Sequence, residues 1–463
     1  MKAGFYECDI TPPLGAERPG DFSKRWIENI CDPLKTRAAV FSDGKLQIAL
    51  VGIDAIGWGE GFRRQIEEQC PEFKIVMSAS HAHYSGNTRD PYPGIDTAPE
   101  LIRRLVLDES VAFDPVCYHH CLQQTVSAIR MAARRMEEAE FSVGKNRVPG
   151  LIFNRRIRMK DGRILTHPGK GNPDSVDYAG PVDDELGVVG VWKKGSSELL
   201  GFLLNFSCHA DIQDNGASAD FPGYAIKTVR AVYGANAGAV YINGASGDIT
   251  QIDNLSMYQD IGYAVTVKLG RCLGGEAVKI LASAPRGEIT KLDYRQTGLK
   301  LKRCPMDPEA VKEAYRRAEV NDGSSAFKIA KTRVLQSLTI SRDPTPVTTL
   351  KTVQLGPLVI ANSSGEMFAQ YGLDFKKGAN FPFAWYAQLA SDQLGYIPTP
   401  ECLRKTAGSY ETSISRFPPD TGPRILESML RMAAELTPEE PPRWETVQPA
   451  EKAWGYNFDA VKK

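Results

Sequence analysis

The chain has no excess of charge of either sign: 463 residues carry 56 Lys and Arg against 56 Asp and Glu, a net charge of zero at pH 7. Duplex affinity rests on a basic surplus that neutralises phosphates, so no nucleic-acid partner is expected. No stretch approaches the roughly 18 uninterrupted apolar residues a bilayer helix needs, because 41 Gly and 30 Pro punctuate the whole sequence. No membrane span is expected. The opening MKAGFYECDITPPLG has one Lys and no apolar run behind it, so no secretory leader is expected either. The nine cysteines are an odd number without a C-x-x-C pair, which favours reduced thiols and a cytoplasmic location. A P-loop, a strand-borne G-x-G-x-x-G and a G-x-S-x-G elbow are all missing, which disfavours nucleotide binding and α/β-hydrolase chemistry.

What is present is a succession of short, β-branched apolar runs that end in Gly, Asn, Asp, Ser or His. The clearest are Leu46 to Gly57, Phe73 to His83, Leu199 to Ala210, Ala239 to Thr250 and Leu358 to Phe368. Such runs read as buried strands delivering polar loops. Helical periodicity separates them at Pro115 to Glu140, Gly223 to Tyr233 and Ile261 to Ala284. Alternation of this kind predicts an α/β fold, a layered mixed sheet core with flanking helices. Gly169 to Val182 and Ser341 to Thr348 read as surface loops. Asp307 to Ser337 carries two amphipathic helices around NDGSS, expected to cover one face of the sheet. Beyond Pro418 the chain turns Pro-rich and acidic around one helix, Pro423 to Glu435. Residues 1–425 are expected to form the catalytic body and 426–463 a peripheral tail.

Histidine is scarce, with only six in the chain, so their placement carries information. His81 and His83 follow an apolar strand at spacing i, i+2, which puts two imidazoles on one side of an extended segment. His209 ends another apolar run. Ligands of open α/β sheets collect beyond the carboxyl ends of the strands, where all three would lie, and a metal site is expected there. Asp54, Asp248 and Glu366 end further apolar runs, where a carboxylate beside imidazoles can complete a metal site or orient a histidine. His119 and His120 lie within a helix without the H-E-x-x-H pattern and are expected to be structural. His167 sits in a loop, THPGKG.

Four stretches together resemble the neutral, non-lysosomal ceramidase family. They are CDITPP (Cys8 to Pro13), SHAHYSG (Ser80 to Gly86), NFSCHA through SADFPGYA (Asn205 to Ala225) and GASGDIT (Gly244 to Thr250), in the family's order. SGEMF (Ser364 to Phe368) falls where that family has P-G-E-F, and LGYIPT with a later SYE falls where it has its tyrosine pair. The similarity runs from about residue 4 to residue 425.

The resemblance implies one zinc ion held by His81, His209, Glu366 and Tyr396, with His83, Arg155 and Tyr410 lining the substrate's polar group. It places Asp248 and Thr250 in the catalytic region. It implies a zinc-dependent hydrolase of a C–N amide bond that uses metal-activated water. Thr250 stands where the family has a serine, so metal-activated water rather than a hydroxyl nucleophile is expected. The family's immunoglobulin-like C-terminal domain has no counterpart, and the expected substrate is a small soluble amide, or less readily an ester, instead of ceramide. The alternatives are a catalytically silent metal-binding or ligand-binding relative, a zinc-dependent esterase, or another metal-assisted, non-hydrolytic enzyme.

Overall fold

A computed structural model describes residues 1–211, 216–258, 261–405 and 409–444. The apolar runs form strands in which alternate residues point to opposite faces. Eight of them make one mixed sheet, in the order Gly238–Asn243, Leu199–Phe206, Glu185–Lys193, Glu137–Arg147, Lys2–Asp9, Lys35–Ser42, Gln47–Ile53 and Lys74–Ala79. The two outer pairs are parallel and the inner pairs antiparallel. The central junction is thin, since Lys2–Asp9 meets Glu137–Arg147 only through Lys2↔Glu138 and Ala3↔Glu137. There the sheet bends into two four-stranded halves.

A second sheet, Leu292–Lys300, Val347–Leu355, Leu358–Asn362 and Phe383–Ala387, packs against both halves. Phe41 and Leu50 from one half, Val189 and Leu203 from the other, and Val353 and Trp385 from the second sheet share one apolar cluster. Each sheet unit turns its opposite face to its own helices. Glu60–Gln69 and Pro115–Arg134 cover the N-terminal half, Asp220–Tyr233 and Tyr263–Ser283 the other, and Ala369–Gly378 with Thr421–Ala434 the second sheet. The layered α/β core is therefore present as mixed sheets flanked by helices.

The bend brings the two outer strands of the large sheet together at their carboxyl ends. The Asn243 N–H donates to Ser78 Oγ at 3.2 Å, and the His83 N–H to the Ala210 carbonyl at 3.0 Å. Gly52 makes this approach possible, because a Cβ there would stand 2.7 Å from the Tyr241 carbonyl oxygen.

Several boundaries differ from the sequence reading. The Pro115 helix is started by Pro115 itself and by Asp114, whose carboxylate accepts from the Val116 and Cys117 N–H groups. It stops at Arg134. Glu137, Glu138, Ala139, Glu140 and Phe141 then alternate outward and inward as an edge of the next strand. The Gly169 to Val182 stretch contains a strand, Ser175–Tyr178, paired with Arg156–Met159. The helices Pro308–Ala318 and Ser325–Arg342 do not cover a sheet face. They pack on each other and on Glu100–Leu107 through Ala318, Phe327, Val334 and Leu105. The late helix Thr421–Ala434 buries Ile425, Met429 and Met432 against the second sheet, so the chain is integrated as far as Leu436, and residues 445–463 lie outside those described. Among the described residues no helix is long and apolar enough to cross a membrane.

Candidate metal centre

The strands that end the two halves of the large sheet, and the segment after Leu358–Asn362, deliver their next residues to one place. His81 leaves Lys74–Ala79 with φ at 64°, a left-handed conformation that a non-glycine residue adopts at a cost of order 1–3 kcal/mol. Its Nδ1 stands 2.7 Å from the Ile56 carbonyl oxygen, and Nδ1 of His209 stands 2.8 Å from the Ser246 carbonyl oxygen. A carbonyl only accepts, so each Nδ1 carries the hydrogen and each Nε2 presents a lone pair. Ligand nitrogens of His81, His83 and His209 lie within 4.8 Å of one another. Glu366 Oε2 completes the group, 3.5 Å from His81 Nε2 and 3.3 Å from His209 Nε2.

All three Nε2 atoms and Glu366 Oε2 are buried without a hydrogen-bond partner. Leaving four polar atoms unmatched in one spot costs several kcal/mol in a bare protein. A divalent cation accepts nitrogen and carboxylate oxygen donors together, so the residues present fit such an ion. Protonation states agree with this. Burial pulls the His83 imidazole down to about 3, with His81 adding repulsion. Burial, helped by Arg155 and His81, pulls His209 down to about 4. Burial alone would raise the Glu366 carboxyl, yet hydrogen bonding and attraction from His209 and His81 in their protonated forms hold it well below the ordinary range. At neutral pH the group is two imidazole lone pairs from these histidines and an anionic carboxylate.

Glu366 is locked beside Tyr396 by a short parallel pairing, Glu366↔Tyr396 and Met367↔Ile397. Arg155 organises that side. Its Nη2 donates to the Tyr396 hydroxyl at 3.0 Å and to the Gly247 carbonyl at 2.9 Å, while Nε donates to Glu411 Oε1 at 2.6 Å. Glu411 in turn accepts from Thr166 and Ser409 hydroxyls, each at 2.6 Å. Burial pushes the Tyr396 hydroxyl well above its ordinary value, opposed by Arg155. Tyr410 stands edge-on to Tyr396, ring centres 5.6 Å apart.

Two cavities meet at these residues. One, of about 410 Å³, is lined by Arg18, Asp211, His167 and Arg155; the other, of about 450 Å³, by Leu335, Thr339, Ile414, Arg89, Arg303 and Glu366. His83, Tyr396 and Tyr410 line both.

Of the residues singled out from sequence, His81, His83, His209, Glu366, Tyr396, Arg155 and Tyr410 are gathered here. His83 stands among the candidate ligands as well as on the substrate side. Three residues are not brought in, each because the fold has already satisfied it. Asp54 is gripped by Arg37 Nη1 at 2.8 and 2.7 Å and by the Lys35 N–H at 2.8 Å; a backbone carbonyl, not this carboxylate, orients His81. Asp248 accepts from Asn154 Nδ2 at 2.7 Å and from the Ala369 N–H at 2.8 Å, holding the start of a helix, and lines a different cavity. Thr250 is fully buried in the Ile249–Thr250 pairing with Phe153–Asn154, where its Oγ1 accepts from the Ile252 N–H at 3.2 Å. His119 and His120 are exposed on their helix.

Three cavity residues and one buried behind them, Glu411, escaped the sequence reading. Asp211 carries a usable signal, since it follows His209 at i, i+2. Burial would raise its carboxyl, but His83, His209 and Arg155 hold it down to about 2. Glu411, Arg18 and Arg89 carry no such signal: Arg155 and Thr166, which hold Glu411, are remote in sequence, and the Arg18–Asp21 spacing reads as an ordinary surface pair.

No family model and no curated protein matches the chain. Solved structures do, among them two ceramidases. A ceramidase complexed with C2 superposes with a TM-score of 0.70 at 15% identity, over 97% of this chain and 77% of that one. The neutral ceramidase from Pseudomonas aeruginosa gives 0.68 at 16% identity, over 96% and 76%. The chain has a neutral ceramidase-like fold.

Proposed function

We propose that the protein is a zinc-dependent hydrolase of C–N amide bonds that acts on a small soluble substrate. The carrying observation is the convergence of three unmatched imidazole nitrogens and one unmatched carboxylate oxygen at the junction of two cavities. His81, His209, Glu366 and Tyr396 would hold the ion, with His83 at its edge. When bound, such an ion supplies Lewis acidity toward a carbonyl and makes water a nucleophile near neutral pH.

The chain's own groups do the rest. Arg155, braced by Glu411, fixes the Tyr396 hydroxyl from the side away from the histidines. His83 and Tyr410 line both cavities, so a scissile amide lying across the junction has its carbonyl beside their polar tips. Donors placed there stabilise negative charge that develops on the carbonyl oxygen. Thr250, buried and off the cavities, takes no covalent part in this scheme. Arginines interrupt the apolar lining of the larger cavity, which suits a compact substrate better than a long alkyl chain.

Metal analysis of the purified protein should find about one zinc per chain, falling to a small fraction in His81→Ala and in His209→Ala. In zinc-replete buffer a short-chain, water-soluble N-acyl amide should be cleaved faster than a long-chain ceramide. Full metal content in both variants would remove the proposed centre. Faster cleavage of ceramide would remove the small-substrate reading, and stoichiometric metal with no turnover on either would leave a silent binding protein.

A further inference from the structure

The larger cavity holds three guanidinium side chains, and two of them are tied to the protein through their terminal nitrogens, although Arg416 Nε is buried without a hydrogen-bond partner. Arg303 pairs with Asp343 at 2.8 Å. Arg416 donates to the Ser413 and Ser415 carbonyls at 3.0 and 2.9 Å and to the Gln336 side-chain oxygen at 2.5 Å. Arg89 differs. Its side chain has one hydrogen bond, from Nη1 to the Val111 carbonyl at the long distance of 3.5 Å, and no carboxylate pairs with it. The carboxylate that acts on it electrostatically is Glu17, already taken by Lys24 Nζ at 2.5 Å and the Ala112 N–H at 2.7 Å. Of the other carboxylates of the cavity, Asp21 is paired with Arg18 and Arg25, and Glu366 faces the histidine group.

Arg89 is exposed by accessible surface, yet protein crowds it closely enough that desolvation pulls its pKa down. Both hold together if the surface it exposes is cavity wall. Its backbone is fixed on either side. Thr88 Oγ1 donates to the Gly57 carbonyl at 2.5 Å, the Arg89 N–H to Asn87 Oδ1 at 3.0 Å, and Asp90 accepts from the Gly61 and Phe62 N–H groups at 2.7 and 2.9 Å. A cation held rigidly in a crowded cavity without a counter-charge is an unmet electrostatic demand.

We infer that Arg89 is the recognition group for a carboxylate on the substrate, so that the amide cleaved carries a free acid on the part lying in the larger cavity, reached across the short apolar wall of Leu335, Ile340 and Ile414. The inference rests on reading that cavity as the substrate site. A planar fork whose terminal nitrogens make one long contact matches one carboxylate bidentately, whereas a phosphate dianion calls for a second available cation, and Arg303 is paired with Asp343 while both terminal nitrogens of Arg416 are bonded to the protein.

Calorimetric titration with glutaric acid monoamide, its methyl ester and inorganic phosphate, on the full-length protein as purified, tests this without requiring turnover. The acid should bind at least about tenfold more tightly than the ester, and Arg89→Gln should erase most of that difference while Arg89→Lys restores part of it. Unchanged thermal melting of both variants shows that the fold is intact. Equal affinity for acid and ester, undiminished acid binding in Arg89→Gln, or tighter binding of phosphate than of the acid each overturns the inference. Assaying hydrolysis of an N-acyl amide in its acid and methyl ester forms separates the two readings. Arg89-dependent binding without hydrolysis leaves the inference standing and defeats the proposed reaction; hydrolysis with no acid preference does the reverse.

Discussion

Asp54 and Glu366 occupy matching places, each just beyond a buried strand, and the fold treats them oppositely. Asp54 receives two contacts from Arg37 and one backbone N–H, and is silent. Glu366 receives no hydrogen-bond donor at Oε2 and faces two imidazole lone pairs. A carboxylate satisfied by its own protein stabilises that protein, while one left unmatched in a buried cluster is held for something else to satisfy. The contrast separates structure from site more sharply than position at a strand end does, because strand ends supply both.

The strongest way to break this contrast is to remove each carboxylate in turn. Glu366→Ala should abolish nearly all metal binding, measured by metal analysis, with little change in urea stability. Asp54→Asn should cost about 3 kcal/mol of folding stability by leaving buried Arg37 with only Glu7, 3.5 Å from its Nε, as a charge partner, with metal per folded molecule unchanged. If the two variants exchange phenotypes, the contrast is wrong.

Glu411 refines it, being satisfied and yet part of the cavity's framework. Glu411→Gln loosens Arg155 and through it the Tyr396 hydroxyl, so turnover should fall by about 10- to 100-fold, as for other residues that orient ligands from behind. Zinc content should stay near one per chain. Wild-type turnover would take the Glu411, Arg155, Tyr396 line out of the site.

Asp392 is the intermediate case and the smallest effect. Its Oδ1 is buried without a partner, and burial lifts the carboxyl from 3.8 to about 6. Between those values the folded chain binds a proton that the unfolded chain does not. The penalty on folding therefore grows as pH rises from about 4 to about 6, is full above pH 6, and is gone only below about pH 4. Asp392→Asn, neutral throughout, should melt about 2 °C higher than the parent at pH 8, with the gap about halved near pH 5 and closing near pH 4. A gap that widens on acidification would show that the carboxylate is matched by a donor after all.

The same contrast explains what the sequence could disclose. Short β-branched runs ending in His and Glu announced both the α/β class and the place of His81, His83, His209 and Glu366, because strand direction carries them there; Tyr396, Arg155 and Tyr410 were legible only through the resemblance to the ceramidase family. Asp54 and Asp248 looked equivalent to Glu366, and only the remote Arg37, Asn154 and Ala369 set them apart. Spacing says nothing about such partners. The charged stretch at Glu137 continued a helical rhythm on paper, whereas Ala139 and Phe141 alternate into the common core. Nor does periodicity reveal that Ser325–Arg342 packs on other helices and walls a cavity, since an amphipathic face names no partner. Arg89 was invisible for a related reason: what marks it is the absence of a counter-ion in space.

The thin junction at the bend of the large sheet also governs how the molecule is made. The N-terminal half, with His81 and His83, is a local unit of strands and helices whose last helix ends at residue 134; within the sheet ladder only Lys2↔Glu138 and Ala3↔Glu137 stitch it to the next half, which brings His209 and meets it again at Ser78 and His83. Glu366 and Tyr396 arrive on a still later unit. On a ribosome adding roughly 5–20 residues per second, the early half can fold while the rest is unmade. Until the later units dock, the nascent chain exposes a histidine pair without the carboxylate and tyrosine that would face it. Closure of the cage is thus a late, long-range event with high contact order, and a premature stop before Glu366 would release a chain with part of the ligand set and no way to complete it.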